Sequence, residues 1–268
     1  MAAINWRFPS GRPTGQPTSL VLLAHGLNLK PTRMEELALA CRERGAVTGV
    51  MVLPGHDGSW RELAEAGPED YIDRGRRALA EVRRRSQELG ISRVRLIGMS
   101  MGALVMLRVL AEEASDDPFQ DGIFLSPALV LRLWARLMKG PAGWLPGATP
   151  IISFSRRRDR VFGTLPVASY RSLYQLIDDV GSRLAEQRVT LPLRIYMSPR
   201  DELLSVDGTA ALIESGGLPN AELVTSAGPH DATRPPGERR GRTGGPSHLL
   251  VDRESMGEAL WEDLVAHL

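Results

Sequence analysis

An α/β fold with a mostly parallel central sheet and helices on both faces is predicted by three features of the 268-residue sequence. Short apolar runs alternate with amphipathic helical stretches over most of the chain, which is typical of strands joined by helical crossovers. Ser19–Ala24 is a continuous apolar run, as expected for a strand that is covered on both faces. Gly45 and Gly90 stand where two of the helical patterns stop, a favoured position for glycine.

The predicted elements follow one another in a regular order. Residues 4–8 alternate apolar and polar side chains, which indicates a short edge strand. Residues 33–44 have apolar side chains at Met34, Leu37 and Ala40, and residues 68–89 place one apolar face opposite arginines and glutamates, so both stretches are predicted helices. The other predicted strands cover residues 19–24, 47–53, 93–97, 122–125, 193–197 and 221–225, and the other predicted helices cover residues 101–113, 206–215 and 254–267.

The alternation breaks between residues 127 and 191, where we find no convincing strand. This stretch offers an apolar helical segment near residues 131–138, a Gly/Pro-rich piece at 140–150, a basic patch at 156–160 and a second helix at 167–188. We therefore expect an α/β core made of residues 1–126 and 192–268, with residues 127–191 inserted as a helical cap.

A serine lies at the sharp turn between a predicted strand and a predicted helix, in Gly98-Met99-Ser100-Met101-Gly102. Small residues two positions before and after the serine allow the strand and the helix to pass close together. The hydroxyl then stands at a helix N-terminus, where backbone N–H groups favour negative charge. Because the flanking strand and helix are both present, the motif favours a nucleophile over a surface serine in an ordinary turn.

A serine nucleophile needs a base in contact, and the base needs an orienting partner. Asp201 follows the strand at 193–197, and we prefer it as the acid, with Glu202 and Asp207 as alternatives. His248 precedes an apolar run that leads into the last helix, and we prefer it as the base. The alternative base, His230, lies inside the long polar segment 227–246.

With these motifs the chain resembles the α/β-hydrolase superfamily, and within it the monoacylglycerol lipase and carboxylesterase branch, which is grouped with serine aminopeptidase-like proteins. The resemblance spans nearly the whole chain and rests on His25-Gly26, Pro54-Gly55-His56, the motif around Ser100, Asp201 and His248. It implies that the backbone N–H groups of Leu27 and Met101 form an oxyanion hole. It also implies a Ser-His-Asp triad that cleaves carboxylic esters through an acyl-enzyme.

An apolar cap would favour a small-molecule ester with an apolar acyl chain as substrate. Trp134, Leu137 and Met138 could line its pocket, or they could be the core of the cap itself. Two other functions are considered: an aminopeptidase or amidase that uses the same triad, and a hydrolase-fold receptor without turnover.

Composition excludes several classes of protein. A net charge of +1 gives no electrostatic support for nucleic-acid binding. No apolar run approaches the length of a membrane span, and Cys41 is the only cysteine, so we expect a cytoplasmic protein without a disulfide. We expect neither a metal nor an organic cofactor, because the chain has no Cys/His cluster and no G-x-G-x-x-G motif.

Overall fold

A computed structural model describes residues 4–8, 17–112, 117–153, 155–225 and 248–268. Its strands are β1 (Ile4–Arg7), β2 (Ser19–Ala24), β3 (Ala46–Met51), β4 (Val94–Met99), β5 (Asp121–Leu125), β6 (Pro150–Ile152), β7 (Thr164–Pro166), β8 (Leu193–Met197) and β9 (Ala221–Thr225). Within these ranges, seven strands form one sheet in the order β1-β3-β2-β4-β5-β8-β9. Every neighbouring pair is parallel except β1 and β3, so the predicted mostly parallel sheet with an edge strand at its start is confirmed.

The helices are α1 (Glu35–Arg42), α2 (Trp60–Glu65), α3 (Pro68–Leu89), α4 (Met101–Glu112), α5 (Leu133–Leu137), α6 (Lys139–Trp144), α7 (Val167–Glu186), α8 (Val206–Glu214), α9 (Arg253–Met256) and α10 (Glu258–Ala266). A 3-10 turn, Pro31–Met34, precedes α1. The long helix α3 begins at Pro68, and it ends at Gly90, whose φ of 64° is a left-handed conformation that glycine adopts without strain. Within the described ranges, no helix has the length and apolarity that a membrane crossing requires.

Helices cover both faces of the sheet, and the alternation of side chains along the strands explains why. On β2, Leu20 and Leu22 belong to the apolar cluster that α3 and α4 complete, whereas Val21 and Leu23 belong to the cluster completed by α1 and α10. Successive residues of a strand point to opposite faces, so a run that is apolar throughout serves both layers.

The segment between β5 and β8, residues 127–191, differs from the sequence-based prediction in three ways. Helix α6 occupies the first part of the Gly/Pro-rich piece, where no helix was predicted. The segment also contains a two-stranded antiparallel hairpin, β6 and β7, where no strand was expected. These strands are only three residues long, too short for the periodicity of side chains to identify them. In addition, Leu176 and Val180 of α7 are buried in the same cluster as α3 and α4, so this segment shares the core of the sheet domain.

Two further helices depart from the prediction. The predicted helix 254–267 is broken into α9 and α10 at Gly257, which has a φ of 82°. Helix α2 was not predicted, although Ser59 is its N-cap and accepts a hydrogen bond from the Glu62 N–H. The Ser-x-x-Glu spacing of an N-cap was the signal that could have identified it.

Candidate active site

Ser100 occupies the turn between β4 and α4, and its φ of 49° places it in the left-handed region. A side chain at Gly98 would come within 2.7 Å of the Ala103 Cα, and one at Gly102 would collide with the carbonyl oxygens of Ala24 and His25. Only residues without a Cβ fit at these two positions, which is why the G-x-S-x-G motif specifies this strand–turn–helix geometry.

Hydrogen bonds from a neighbouring turn hold the strained backbone of Ser100. Its N–H donates to the Leu125 carbonyl (3.0 Å), and its carbonyl accepts from the Ala128 N–H (3.3 Å). The chain makes both contacts by turning at Ser126, another non-glycine residue with a positive φ, of 42°. The end of β5 therefore fixes the peptide that carries the nucleophile candidate.

The structure brings together Ser100, His248 and Asp201. His248 Nε2 lies 2.9 Å from Ser100 Oγ, and His248 Nδ1 lies 2.8 Å from Asp201 Oδ2. Asp201 is fully buried, and 14% of the His248 side chain is exposed. The carboxylate at the imidazole is thus that of Asp201, and the alternatives Glu202 and Asp207 do not take this position.

Asp201 is held by the loop that follows β8. Its Oδ1 accepts hydrogen bonds from the Leu203 and Leu204 N–H groups, both at 2.9 Å, which leaves Oδ2 for the histidine. His248 is anchored from its C-terminal side, because Leu250 and Val251 are buried in the cluster of α1 and α10. His230 and the segment 227–246 lie outside the described residues.

Electrostatics favour a charged acid and a basic imidazole. Burial raises the pKa of Asp201, but the charge and hydrogen bond of His248 and the two loop N–H groups outweigh it, so the pKa is lowered. Burial lowers the pKa of His248, but the charge and hydrogen bond of Asp201, with a contribution from Glu202, outweigh it, so that pKa is raised. With an ionised Asp201, Nδ1 carries the proton, and Nε2 is free to accept one from Ser100.

The two residues expected to supply oxyanion donors flank this site. Met101 is the first residue of α4, where backbone N–H groups have no partner within the helix. Leu27 follows Gly26, and a side chain at Gly26 would come within 3.1 Å of the Ser100 Cβ, so the end of β2 lies against the nucleophile candidate. The next two backbone N–H groups of this loop already have acceptors. The Asn28 N–H donates to His56 Nε2 (2.8 Å), and the Leu29 N–H donates to the Gly26 carbonyl (3.2 Å).

His25 and His56 support this loop as neutral side chains. His25 Nε2 accepts from the Leu53 N–H (3.1 Å), and its Nδ1 lies 2.9 Å from the Gly26 carbonyl. Burial, with the nearby His56, lowers the pKa of His25 to about 3, and burial lowers the pKa of His56 to about 4. Both rings therefore stay uncharged and act as hydrogen-bonding supports.

Asn28 is a residue of the site that the sequence analysis missed. Its φ is 58°, and its side-chain amide donates to Ser153 Oγ (3.0 Å) and to the Phe162 carbonyl (3.1 Å). Its Oδ1 accepts from the Phe162 N–H (2.9 Å). The only signal in the sequence was the tolerance of asparagine for left-handed backbone, which says nothing of partners 125 and 134 positions away.

The place of Trp134, Leu137 and Met138 in a substrate pocket stays a prediction. Their side chains are between 48% and 68% exposed, so they are not the buried core of the inserted segment. Trp134 and Leu137 line an open groove of about 470 Å³, together with Leu131, Arg132, Leu133 and Ser205. The groove lies between α5 and the loop that carries Asp201.

The described part of the chain contains no group of three or more His, Cys, Asp and Glu side chains that could hold a metal ion.

A mostly parallel sheet in this strand order, with a serine at the turn after β4, defines an α/β-hydrolase. More particularly, the sequence model of the family described as "Serine aminopeptidase, S33" (Hydrolase_4) matches residues 15–230, and the chain belongs to that family. Ser100 and Asp201 lie inside the matched range, and His248 lies beyond it.

Solved structures with the same fold include three esterases and lipases. A soluble variant of monoglyceride lipase from Saccharomyces cerevisiae has a TM-score of 0.71 at 13% identity, over 84% of this chain and 82% of that one. A monoacylglycerol lipase from Paleococcus ferrophilus has a TM-score of 0.61 at 17% identity, over 84% and 88%. A carboxyl esterase from Bacillus coagulans has a TM-score of 0.62 at 12% identity, over 84% of each chain. No match to the sequence was found among curated proteins.

Proposed function

We propose that this protein is a serine hydrolase that cleaves carboxylic esters, with Ser100 as nucleophile, His248 as base and Asp201 as orienting acid. The observation that carries the proposal is the unbroken hydrogen-bond chain from Ser100 Oγ through the imidazole to Asp201, with distances of 2.9 and 2.8 Å. This contact between nucleophile and base, with the base oriented by a third group, is what acyl transfer requires.

The reaction proceeds in two steps. His248 Nε2 takes the proton of Ser100 as Oγ attacks the ester carbonyl, and the N–H groups of Leu27 and Met101 stabilise the oxyanion, each by about 3 kcal/mol. When the tetrahedral intermediate collapses, His248 gives its proton to the departing alcohol and the acyl group remains on Ser100. Water then repeats the sequence, with His248 as base, and releases the carboxylic acid.

The proposed substrates are esters of apolar acyl chains, including monoacylglycerol-like lipids. The structural relatives named as monoglyceride lipase, monoacylglycerol lipase and carboxyl esterase support this class. Residues 127–191 act as a cap in this proposal, and Trp134, Leu137 and Met138 offer apolar surface to the acyl chain. A cytoplasmic location stays a prediction, which rests on the single cysteine, Cys41.

A fluorophosphonate probe and a substrate panel test the proposal. The folded wild-type protein should be labelled by the probe, and Ser100→Ala should lose the label together with turnover, by about 10⁴-fold or more. Ser215→Ala, at the C-cap of α8, is the control and should keep both. The panel compares p-nitrophenyl esters of increasing chain length with aminoacyl anilides.

Each competing function has its own outcome. Faster cleavage of the anilides than of the esters would make the protein an aminopeptidase or amidase that uses the same residues. A folded wild-type protein that takes up no fluorophosphonate would instead indicate a receptor without turnover.

A further inference from the structure

The loop that carries Asp201, residues 198–205, is bonded to the start of the inserted segment along its outer side. We call residues 198–205 the acid loop. Trp134 Nε1 donates to the Glu202 carbonyl (2.9 Å), and the Arg132 N–H donates to the Leu203 carbonyl (2.9 Å). The Arg132 guanidinium donates from Nε to the Leu204 carbonyl and from a terminal nitrogen to the Pro199 carbonyl, both at 3.1 Å.

Two of these four donors, Trp134 Nε1 and the Arg132 backbone N–H, act on the same peptide groups that hold the carboxylate. The Leu203 N–H belongs to the peptide whose carbonyl is that of Glu202, and the Leu204 N–H to the peptide whose carbonyl is that of Leu203. Asp201 Oδ1 therefore accepts from two peptide groups whose carbonyls accept from Trp134 Nε1 and from the Arg132 backbone N–H. The Arg132 guanidinium bonds to the carbonyls of Leu204 and Pro199, so its side chain holds the loop on both sides of these two peptides. A peptide is planar, so fixing its carbonyl also fixes the direction of its N–H. A donor at the carbonyl also polarises the N–H and strengthens the bond to the carboxylate.

We propose that Arg132 and Trp134 are positioning residues for catalysis, which hold the acid loop so that Asp201 meets His248 in the productive geometry. The inference rests on the proposed function of Ser100, His248 and Asp201. It assigns to Trp134 a role through its indole N–H that is separate from any contact of its exposed ring with an acyl chain.

Substitutions of Arg132 and of Trp134 should change the pKa of His248 differently, because only Arg132 is charged. Asp201 and Glu202 are the acids that raise the pKa of His248. Removing the positive charge of Arg132 would by itself raise that pKa further, whereas loosening Asp201 would lower it. Trp134→Phe changes no charge and keeps an aromatic ring, so it isolates the hydrogen bond.

Trp134→Phe should lower kcat about 3- to 10-fold for every ester in the panel, with little change in KM, because one hydrogen bond to the loop is lost. The pH at which Trp134→Phe loses half of its activity in acid should fall, and so should the pKa of His248 measured by NMR. Arg132→Met keeps the backbone bond to Leu203 but removes both guanidinium bonds, to the Leu204 and Pro199 carbonyls, so it should lower kcat about 10-fold or more. Arg132→Lys should recover part of the loss. The matched controls are Trp144→Phe, at a highly exposed tryptophan of α6, and Arg136→Met, at an exposed arginine of α5, which should behave as wild type.

Two outcomes would overturn the positioning role. One is an unchanged kcat and an unchanged His248 pKa in Trp134→Phe; the other is an effect confined to KM that grows with acyl-chain length. The NMR titration does not depend on turnover, so a wild-type protein without esterase activity would reject the proposed function and still leave the role of Trp134 to be judged by the pKa of His248.

Discussion

Three non-glycine residues at the candidate site have a left-handed backbone conformation, which residues with a side chain adopt rarely. In the described ranges, the non-glycine residues with positive φ are Asn28, Ser100 and Ser126. Asn28 follows the oxyanion candidate Leu27, Ser100 is the nucleophile candidate, and Ser126 forms the turn that holds the Ser100 peptide. Strained residues persist only where surrounding contacts over-determine them, and such residues cluster at functional sites. The strain here therefore supports the same location as the hydrogen bonds do.

At this scale the pH dependence of activity can be predicted. His248 must be neutral to act as base, and its pKa is raised, so activity should rise with pH through a midpoint above the ordinary histidine value of 6.5. Asp201→Asn removes the charge that raises this pKa, so the midpoint should move to lower pH while kcat falls about 10⁴-fold. The measurement is kcat/KM from pH 5 to 9 for the wild type and Asp201→Asn. An acid limb that stays in place in the variant would mean that Asp201 does not set the pKa of His248.

The sequence predicted some of these residues and not others. Ser100 could be predicted because its motif is local. Asp201 was predicted from its position after a strand, and His248 from its position before the last helix. Asn28 and Arg132 were missed because their roles depend on partners in other segments, such as Phe162 and Leu204, and no short-range pattern encodes such contacts.

Separate elements meet at Arg33, in the 3-10 turn before α1. Arg33 Nε lies 2.8 Å from Asp159 Oδ1, in the inserted segment, and a terminal nitrogen of the same guanidinium bonds to Asp252 Oδ2. Asp252 lies four residues after His248, and it caps α9 by accepting a hydrogen bond from the Ser255 N–H (2.8 Å). One arginine thus connects three parts of the chain: the turn that follows the Leu27 loop, the inserted segment and the segment that follows His248.

We expect Arg33→Met to destabilise the fold. Asp159 and Asp252 are both almost completely buried, so loss of their shared partner would leave two poorly compensated carboxylates, at a penalty of about 2–4 kcal/mol. Urea unfolding measures the free energy change, and Arg61→Met, which breaks a largely exposed pair with Glu65, should leave it at the wild-type value. Equal stability of Arg33→Met and the wild type would show that the buried pairs contribute nothing net.

Elements were predicted best where the residues at their ends give a clear signal. The bounds of α3, β2, β8 and β9 were predicted to the residue, because glycine, proline and apolar runs mark their ends. The strands β6 and β7 were missed because three residues carry too little periodicity, and α2 was missed because its main signal is the spacing of Ser59 and Glu62 at the N-cap.

On the scale of the whole molecule, the parallel sheet brings distant residues to one edge. Ser100 follows β4 near the middle of the sheet, and Asp201 follows β8 two strands away. Because parallel strands end at the same edge, side chains separated by about 100 residues come within reach of one imidazole. This convergence is what made the fold class informative about the site before any distance was known.

The fold as a whole should lose stability in mild acid. His25 and His56 have pKa values near 3 and 4 when folded, against 6.5 when unfolded, so their contribution is complete above pH 6.5 and is lost as pH falls towards 4. Each should remove about 1.4 kcal/mol per pH unit in this window. His248 has a raised pKa, so its stabilising contribution is complete below pH 6.5 and is lost only as the pH rises above that value; it therefore adds no slope between pH 6.5 and 4.

Urea unfolding at pH 7.0, 6.0 and 5.0 measures this slope. His56→Gln should reduce the slope by about one proton, because one of the two buried imidazoles is gone. Ser215→Ala removes no titrating group and should keep the wild-type slope. If stability of the wild type does not change between pH 6.5 and 5, the two histidines are not held neutral by the fold.

The attachment of residues 127–191 to both sides of the site determines what can be exchanged between relatives. A chimera that imports a foreign segment here would discard Arg132 and Trp134, which brace the acid loop, and also Ser153 and Phe162, which brace Asn28. If the segment acts as the proposed cap, a graft of residues 127–191 alone would leave the two loops on which it rests without these contacts. A working graft would have to carry the segment together with both loops.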